Sequence, residues 1–135
     1  MSQFGVDPLI SGLHTVLDLR AKQHALTATN LANIDTPGYH AQVINFENAL
    51  AQAIGAPGES LTMAVSNPEH ISATPLETPE ILTLDPPEWA QNDNSVVLER
   101  ENARMAENSL LYRGVAKGLS RKLAMLKYAA SDGRG

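Results

Sequence analysis

The sequence predicts a mainly α-helical protein. Long N- and C-terminal helices pack as a coiled-coil-like hairpin, with a short helix and a proline-rich irregular middle holding at most a short strand. Three observations carry this. Apolar residues recur at steps of three and four near both ends, the spacing that lays a stripe along a helix. Six of the eight prolines fall between residues 55 and 95, where they forbid long helices and central strands. Aromatic residues make up only 4% of a chain that is 43% hydrophobic. A core of Leu, Ile, Val, Met and Ala suits packed helices better than a small sandwich, which leans on large aromatic side chains. At 135 residues the chain forms one domain at most. Part of its apolar surface is expected to be covered only by partners, because small domains bury a smaller share of their surface.

The first helix is expected over Pro8 to Asn33. Asp7 can cap free amides and Pro8 is pre-set for the first helical position. Ile10, Leu13, Leu17, Ala21, His24, Ala28 and Leu31 form its stripe, and its length is about 39 Å at 1.5 Å per residue. Asp35-Thr36-Pro37-Gly38-Tyr39 then stops it. Proline at the second turn position and glycine at the third predict a type II turn. Asn45 is expected to cap a short helix whose apolar face is Phe46, Ala49, Leu50, Ala53 and Ile54, with Gly55 ending it.

The stretch 55–95 is acidic and holds no Lys or Arg. Leu61, Met63 and Val65 alternate with small or polar residues, which predicts one short strand there; the rest is extended loop. The last helix begins near Val96 or Val97 and runs toward Ala130. Leu98, Met105, Tyr112, Leu119 and Leu126 repeat every seven residues, with Val115 and Ala129 at the matching offset. Glu101, Asn108 and Lys122 fill the other matching positions, so the seam is heptad-like with polar interruptions. Leu111 and Leu123 widen the apolar face, which implies more than one neighbour. Acids lead and bases trail along this helix, as its dipole favours. Gly114 and Gly118 fall on one face, where they either admit a close neighbour or are simply tolerated at a cost of roughly 1 kcal/mol each.

Chemistry finds little purchase. Cysteine is absent, which excludes disulfides, thiol catalysis and Cys-ligated zinc. The net charge of −5 argues against nucleic acid, whose phosphates need clustered cations. His14, His24, His40 and His70 lack metal-ligand spacing, and a lone helical histidine is more often surface or core than ligand. No nucleophile elbow or phosphate loop occurs, and the scattered acids lack the order of a calcium loop. No cofactor, metal, nucleic acid or small-molecule substrate is expected. Neither a membrane span nor a cleavable secretory signal is expected.

Four stretches, taken in order, resemble the proximal rod class of flagellar basal-body proteins. They are Asn30-Leu31-Ala32-Asn33-Ile34-Asp35-Thr36-Pro37-Gly38-Tyr39, the Val43-Ile44-Asn45-Phe46 run, Ser66-Asn67-Pro68-Glu69-His70-Ile71, and Met105-Ala106-Glu107-Asn108-Ser109-Leu110-Leu111-Tyr112 with its continuation to Lys127. The first is similar to a motif of flagellar axial proteins generally, carried here by Asn30, Asn33, Asp35, Thr36, Pro37, Gly38 and Tyr39. The chain departs from the class in two places: Asp93 stands where glycine is usual, and Val97 where an acid is usual. Asn94 or Ser95 is then expected to cap the last helix.

The resemblance implies a structural subunit and not an enzyme. Residues 1–54 and 96–135 together would form an inner helical tube domain, bridged by 55–95. The subunit would polymerise into a rod that transmits torque and encloses the export channel. Its partners would be itself, other rod proteins, the inner-membrane ring and the export gate. It would reach the periplasmic rod by flagellar type III export without a cleaved signal. Ile10, Leu13, Leu17 and Leu31 are expected to pack on Leu98, Met105, Tyr112, Val115, Leu119, Leu123 and Leu126, within and between subunits. The alternatives are another axial protein of the distal rod type, or a soluble helical adaptor or export chaperone.

Overall fold

The computed structural model describes residues 8–54 and 78–131. Five elements follow in order: α1 (Pro8–Ala32), β1 (Gln42–Ile44), α2 (Phe46–Ile54), β2 (Ile81–Thr83) and α3 (Leu98–Ala130). The three helices fall where the apolar spacing and the breakers place them. The strand expected at 61–65, the motif at 66–71 and Gly55 lie outside the described residues.

α1 and α3 pack against each other as an antiparallel hairpin. Asn30 on α1 meets Glu101 on α3, and the Arg20 carbonyl meets Asn108. Stepping back along α1 is therefore stepping forward along α3. Carried on at equal rise, this register sets Pro8 opposite about residue 120, so the last turns of α3 overhang Pro8 by about 15 Å. Among the described residues no helix is long and apolar enough to cross a membrane.

The turn after α1 is the expected one. Gly38 has φ +70°, and the Tyr39 amide donates to the Thr36 carbonyl at 3.3 Å. That is a type II turn with glycine at the position where L side chains are strained. The chain then enters β1, which pairs antiparallel with β2 in the register Gln42↔Thr83, Val43↔Leu82, Ile44↔Ile81. Leu84 N–H to Ala41 O (2.9 Å) and Asn45 N–H to Glu80 O (3.0 Å) extend the pairing by one bond at each end. Asn45 caps α2 as expected, its Oδ1 accepting from the Asn48 amide at 3.3 Å.

The apolar core is small. Leu19, Ile44 and Ala49 are buried together, with Leu26 and Phe46 packed against them. It sits where α1, β1 and α2 meet, and much of what else is buried is polar. α1 turns Leu19, Gln23, Thr27 and Asn30 inward, a stripe at steps of four, four and three. Ile10, Leu13, Leu17 and Leu31 are half-buried, and Ala21, His24 and Ala28 are exposed. The inward face beyond Leu17 therefore departs from the expected stripe at Ala21, His24 and Ala28, while Leu31 stays half-buried. Its residues are polar because they must satisfy backbone and carboxylate groups, and a search for apolar periodicity passes over them.

α3 begins differently from expectation. Its N-cap is Val97, in extended geometry, with no side-chain cap hydrogen bond. Asn94 and Ser95 do not cap it; Asn94 Nδ2 is used on the turn after α1 and Ser95 Oγ on the Ala41 amide just before β1. At the far end the Ser131 amide bonds back to the Lys127 and Tyr128 carbonyls.

Candidate functional site

The first motif forms a buried polar junction. Asn30 is fully buried and uses every hydrogen-bonding position of its amide. Its Nδ2 donates to the Gln42 carbonyl (2.9 Å) and to Glu101 Oε2 (3.0 Å). Its Oδ1 accepts from the Gln42 amide (2.9 Å) and the Tyr39 hydroxyl (3.2 Å). One side chain therefore ties α1, the turn, β1 and α3 together. Glu101 is 0% exposed. Its carboxylate is compensated by the Arg104 guanidinium, which donates to Oε1, and by Arg100 Nε at 3.9 Å. A buried carboxylate is tolerated only when paired and hydrogen-bonded in this way. Gln23 extends the same logic: its Oε1 accepts the Ile44 amide at 2.8 Å and its Nε2 donates to Thr27.

Asn94 closes the junction from the other side. Its Nδ2 lies 2.9 Å from Asn33 O, 3.0 Å from Ile34 O and 2.8 Å from Thr36 O, so it gathers the carbonyls of the turn that follows α1. Its Oδ1 accepts the Val96 amide at 2.7 Å. Ser95 Oγ accepts the Ala41 amide at 2.6 Å. Within the motif, Thr36 donates to Asn33, whose Nδ2 returns to Thr29 O. Pro37 and Gly38 form the turn, and the Gly38 amide donates to Asn92 O; Asp35 is exposed. Asp93, just before Asn94, has φ +55°. Glycine adopts that left-handed backbone without strain, and Asp tolerates it.

Outside the junction, α3 exposes large apolar side chains on more than one side of the helix. Leu98, Leu110, Leu111, Tyr112, Leu123, Met125, Leu126 and Tyr128 are exposed. Of the expected packing residues on α3, Met105, Val115 and Leu119 are half-buried, while Leu98, Tyr112, Leu123 and Leu126 are open. The seam of α3 that turns toward α1 instead carries Glu101 and Asn108, both buried. A Cβ added at Gly114 or Gly118 would meet nothing within 4 Å.

A cleft of about 300 Å³ opens between α1 and α3, lined by Arg20, Ala21, His24, Asn108, Tyr112 and Arg113 among others. Arg20 lies over the Phe46 ring at 3.9 Å. Burial pulls its guanidinium below the usual value, and nearby Glu107 opposes the shift. Arg20 Nε and Asn108 Oδ1 are buried without hydrogen-bond partners. Among the described residues no cluster of His, Asp and Glu is arranged to hold a metal ion.

Comparison with known proteins bears on what this arrangement serves. No family model matches the chain. The flagellar basal body rod protein FlgB of Escherichia coli (strain K12) is 34% identical over 109 residues, which cover 77% of this chain and 79% of that protein. The chain belongs to the FlgB family. FlgB of Yersinia enterocolitica is 31% identical over 102 residues, covering 72% and 74% of the two chains. FlgB of Bacillus subtilis is 27% identical over 114 residues and covers 84% of each. FlgB proteins are structural components of the flagellar basal body rod, and the chain is a rod subunit, as the resemblance implied.

Sequence reasoning singled out the motif around Asn30 but missed its partners. Glu101 read as an interruption in a seam, although a lone acid at an inward heptad position signals a buried partner. Asn94 and Ser95 read as caps. Gln23 and Thr27 carried no signal that distinguishes them from surface residues.

Proposed function

We propose that this rod subunit polymerises through its terminal helices, with α1 and α3 forming an inner tube. Residues 1–54 and 96–135 would build that tube and 55–95 would bridge or cover it. The observation that carries this reading is the set of large apolar side chains that α3 leaves exposed, Leu111, Tyr112, Leu123 and Leu126 on one side and Leu110, Met125 and Tyr128 on the other, on a hairpin already locked by the Asn30–Glu101 junction. A monomer gains nothing from holding that many large apolar side chains in water, and such patches mark interaction surfaces. Leu98, Tyr112, Leu123 and Leu126 would meet neighbouring subunits, while Ile10, Leu13, Leu17, Leu31, Met105, Val115 and Leu119 serve both the hairpin and its neighbours.

The role is mechanical and not catalytic. The described histidines have other surroundings: His14 lies beside Asp18, His40 is bonded to the Leu84 carbonyl, and His24 lines the cleft. Rods built this way would transmit torque and enclose the export channel, with the inner-membrane ring and export gate as neighbours. Entry would be by flagellar type III export. The test is to isolate basal bodies by detergent extraction and probe them with an antibody to the acidic middle segment. The protein is expected in the rod fraction, and deletion of its gene should remove the rods. A protein found only in the cytoplasm, with rods intact, would refute the proposal.

A further inference from the structure

Lys and Arg are segregated along the chain. None occurs between Lys22 and Arg100, whereas α3 from Arg113 to Lys127 carries five bases and no acid. The described acidic stretch contains one residue that stands apart. Trp89 is 71% exposed. It follows Pro86, Pro87 and Glu88 in a tight turn closed by the Ala90 amide on the Pro87 carbonyl at 2.9 Å. Two prolines and a closed turn restrict the backbone beneath the exposed indole, so little backbone entropy is lost when it docks. Tryptophan is among the residues most often found as interface anchors.

The cleft between α1 and α3 has the complementary chemistry. Arg20, Arg113 and His24 supply cationic or cation-capable groups, Ala21 and Tyr112 supply apolar surface, and the volume is about 300 Å³. An arginine over an indole face is a favourable cation–π pair. The cleft wall also holds the unpaired Asn108 Oδ1, and the only polar group of an indole is a donor. The Trp89 turn adjoins β2, which pairs with β1 at the junction end of the hairpin. The cleft lies some nine residues back along α1, roughly 13 Å along the axis.

We propose that Trp89 of a second copy of this chain seats in the cleft between α1 and α3, with Glu88 and Asp85 of that copy facing Arg113. This deepens the rod reading and rests on it. The two surfaces are different patches of one molecule, so the contact is heterologous. Repeated, it adds copies head to tail and generates an open helical array instead of a closed dimer.

The chain has no cysteine, which makes disulfide trapping clean. Cells carrying Glu88→Cys and Arg113→Cys in one chain, with Trp89 left in place, are used to prepare basal bodies, which are oxidised and run without reductant. Dimers and higher multimers that need both cysteines are the expected result. Basal bodies that contain the double variant only as monomer, or linked to a protein of different sequence, overturn the inference while leaving the rod role standing. Wild-type protein missing from basal bodies overturns both. Should the cysteine variants not assemble, charge exchange decides. Glu88→Lys and Arg113→Glu are each expected to shrink swimming halos in soft agar, and their combination to restore them. Unchanged halos in both single variants, or no restoration in the pair, refute the contact.

Discussion

At the scale of single residues the junction rests on amide side chains whose hydrogen bonds are all used. Asn30→Ala would leave the Gln42 amide and carbonyl unpaired and remove one donor from Glu101, all in a buried site. An unsatisfied buried group costs on the order of 1–3 kcal/mol, so this variant is expected to lose about 3 kcal/mol or more in urea unfolding. A loss under about 1 kcal/mol would mean that water replaces Asn30 easily. Asp93 makes a subtler case. It adopts left-handed backbone at φ +55°, which Asp tolerates and β-branched residues do not. Asp93→Val should destabilise by about 1–2 kcal/mol, whereas Asp93→Gly should be neutral or slightly stabilising, as far as losing the 3.8 Å approach to His40 allows. Equal effects from the two variants would show that the backbone is not the constraint. The φ of Asp93 could not be read from side-chain chemistry alone.

At the scale of elements, what was legible is what depends on local rules. Pro8 opens α1, Pro37-Gly38 turns the chain, Asn45 caps α2, and heptad spacing marks α3. What was illegible depends on partners far away. β1 and β2 have three residues each, too few to show alternation, and they pair across about 40 positions of sequence. The inward faces of α1 and α3 hold Gln23, Thr27, Asn30, Glu101 and Asn108. A hydrophobicity pattern assigns such residues to solvent, and only the three-dimensional pairing reverses the assignment. α3 also starts without a capping side chain, at Val97 in extended geometry. Val97→Asp should supply that cap and favour the positive end of the helix dipole, for a gain of about 1 kcal/mol. Thermal melting reads this directly. A lower melting temperature would show that the half-buried valine contributes more by packing than a cap does.

At the scale of the whole molecule, the small apolar core and the exposed apolar side chains of α3 belong together. Leu19, Ile44 and Ala49 with their neighbours hold α1, β1 and α2 together, and the far end of α3 keeps its large side chains outside. Substitutions at exposed positions usually change stability by no more than about 0.5 kcal/mol. Leu123→Glu combined with Leu126→Glu should therefore leave the circular-dichroism melt of the free chain nearly unchanged while preventing incorporation into basal bodies. A destabilised free chain would place these residues in the hairpin's own packing, and normal incorporation would remove them from the subunit interface.

The junction also sets an order in time. Asn94 reaches carbonyls 58 to 61 positions earlier, and Asn30 reaches a carboxylate 71 positions later. Closing loops of that length carries an entropic cost that short helices avoid, and it delays folding until both ends are free to meet. A chain emerging N-terminus first, from a ribosome or from a narrow conduit, can wind α1 early but cannot satisfy Asn30 until residue 101 has cleared the exit. The molecule completes its lock only after most of its length has been delivered, so a stalled or truncated chain ending before Glu101 should be open to proteases at the end of α1.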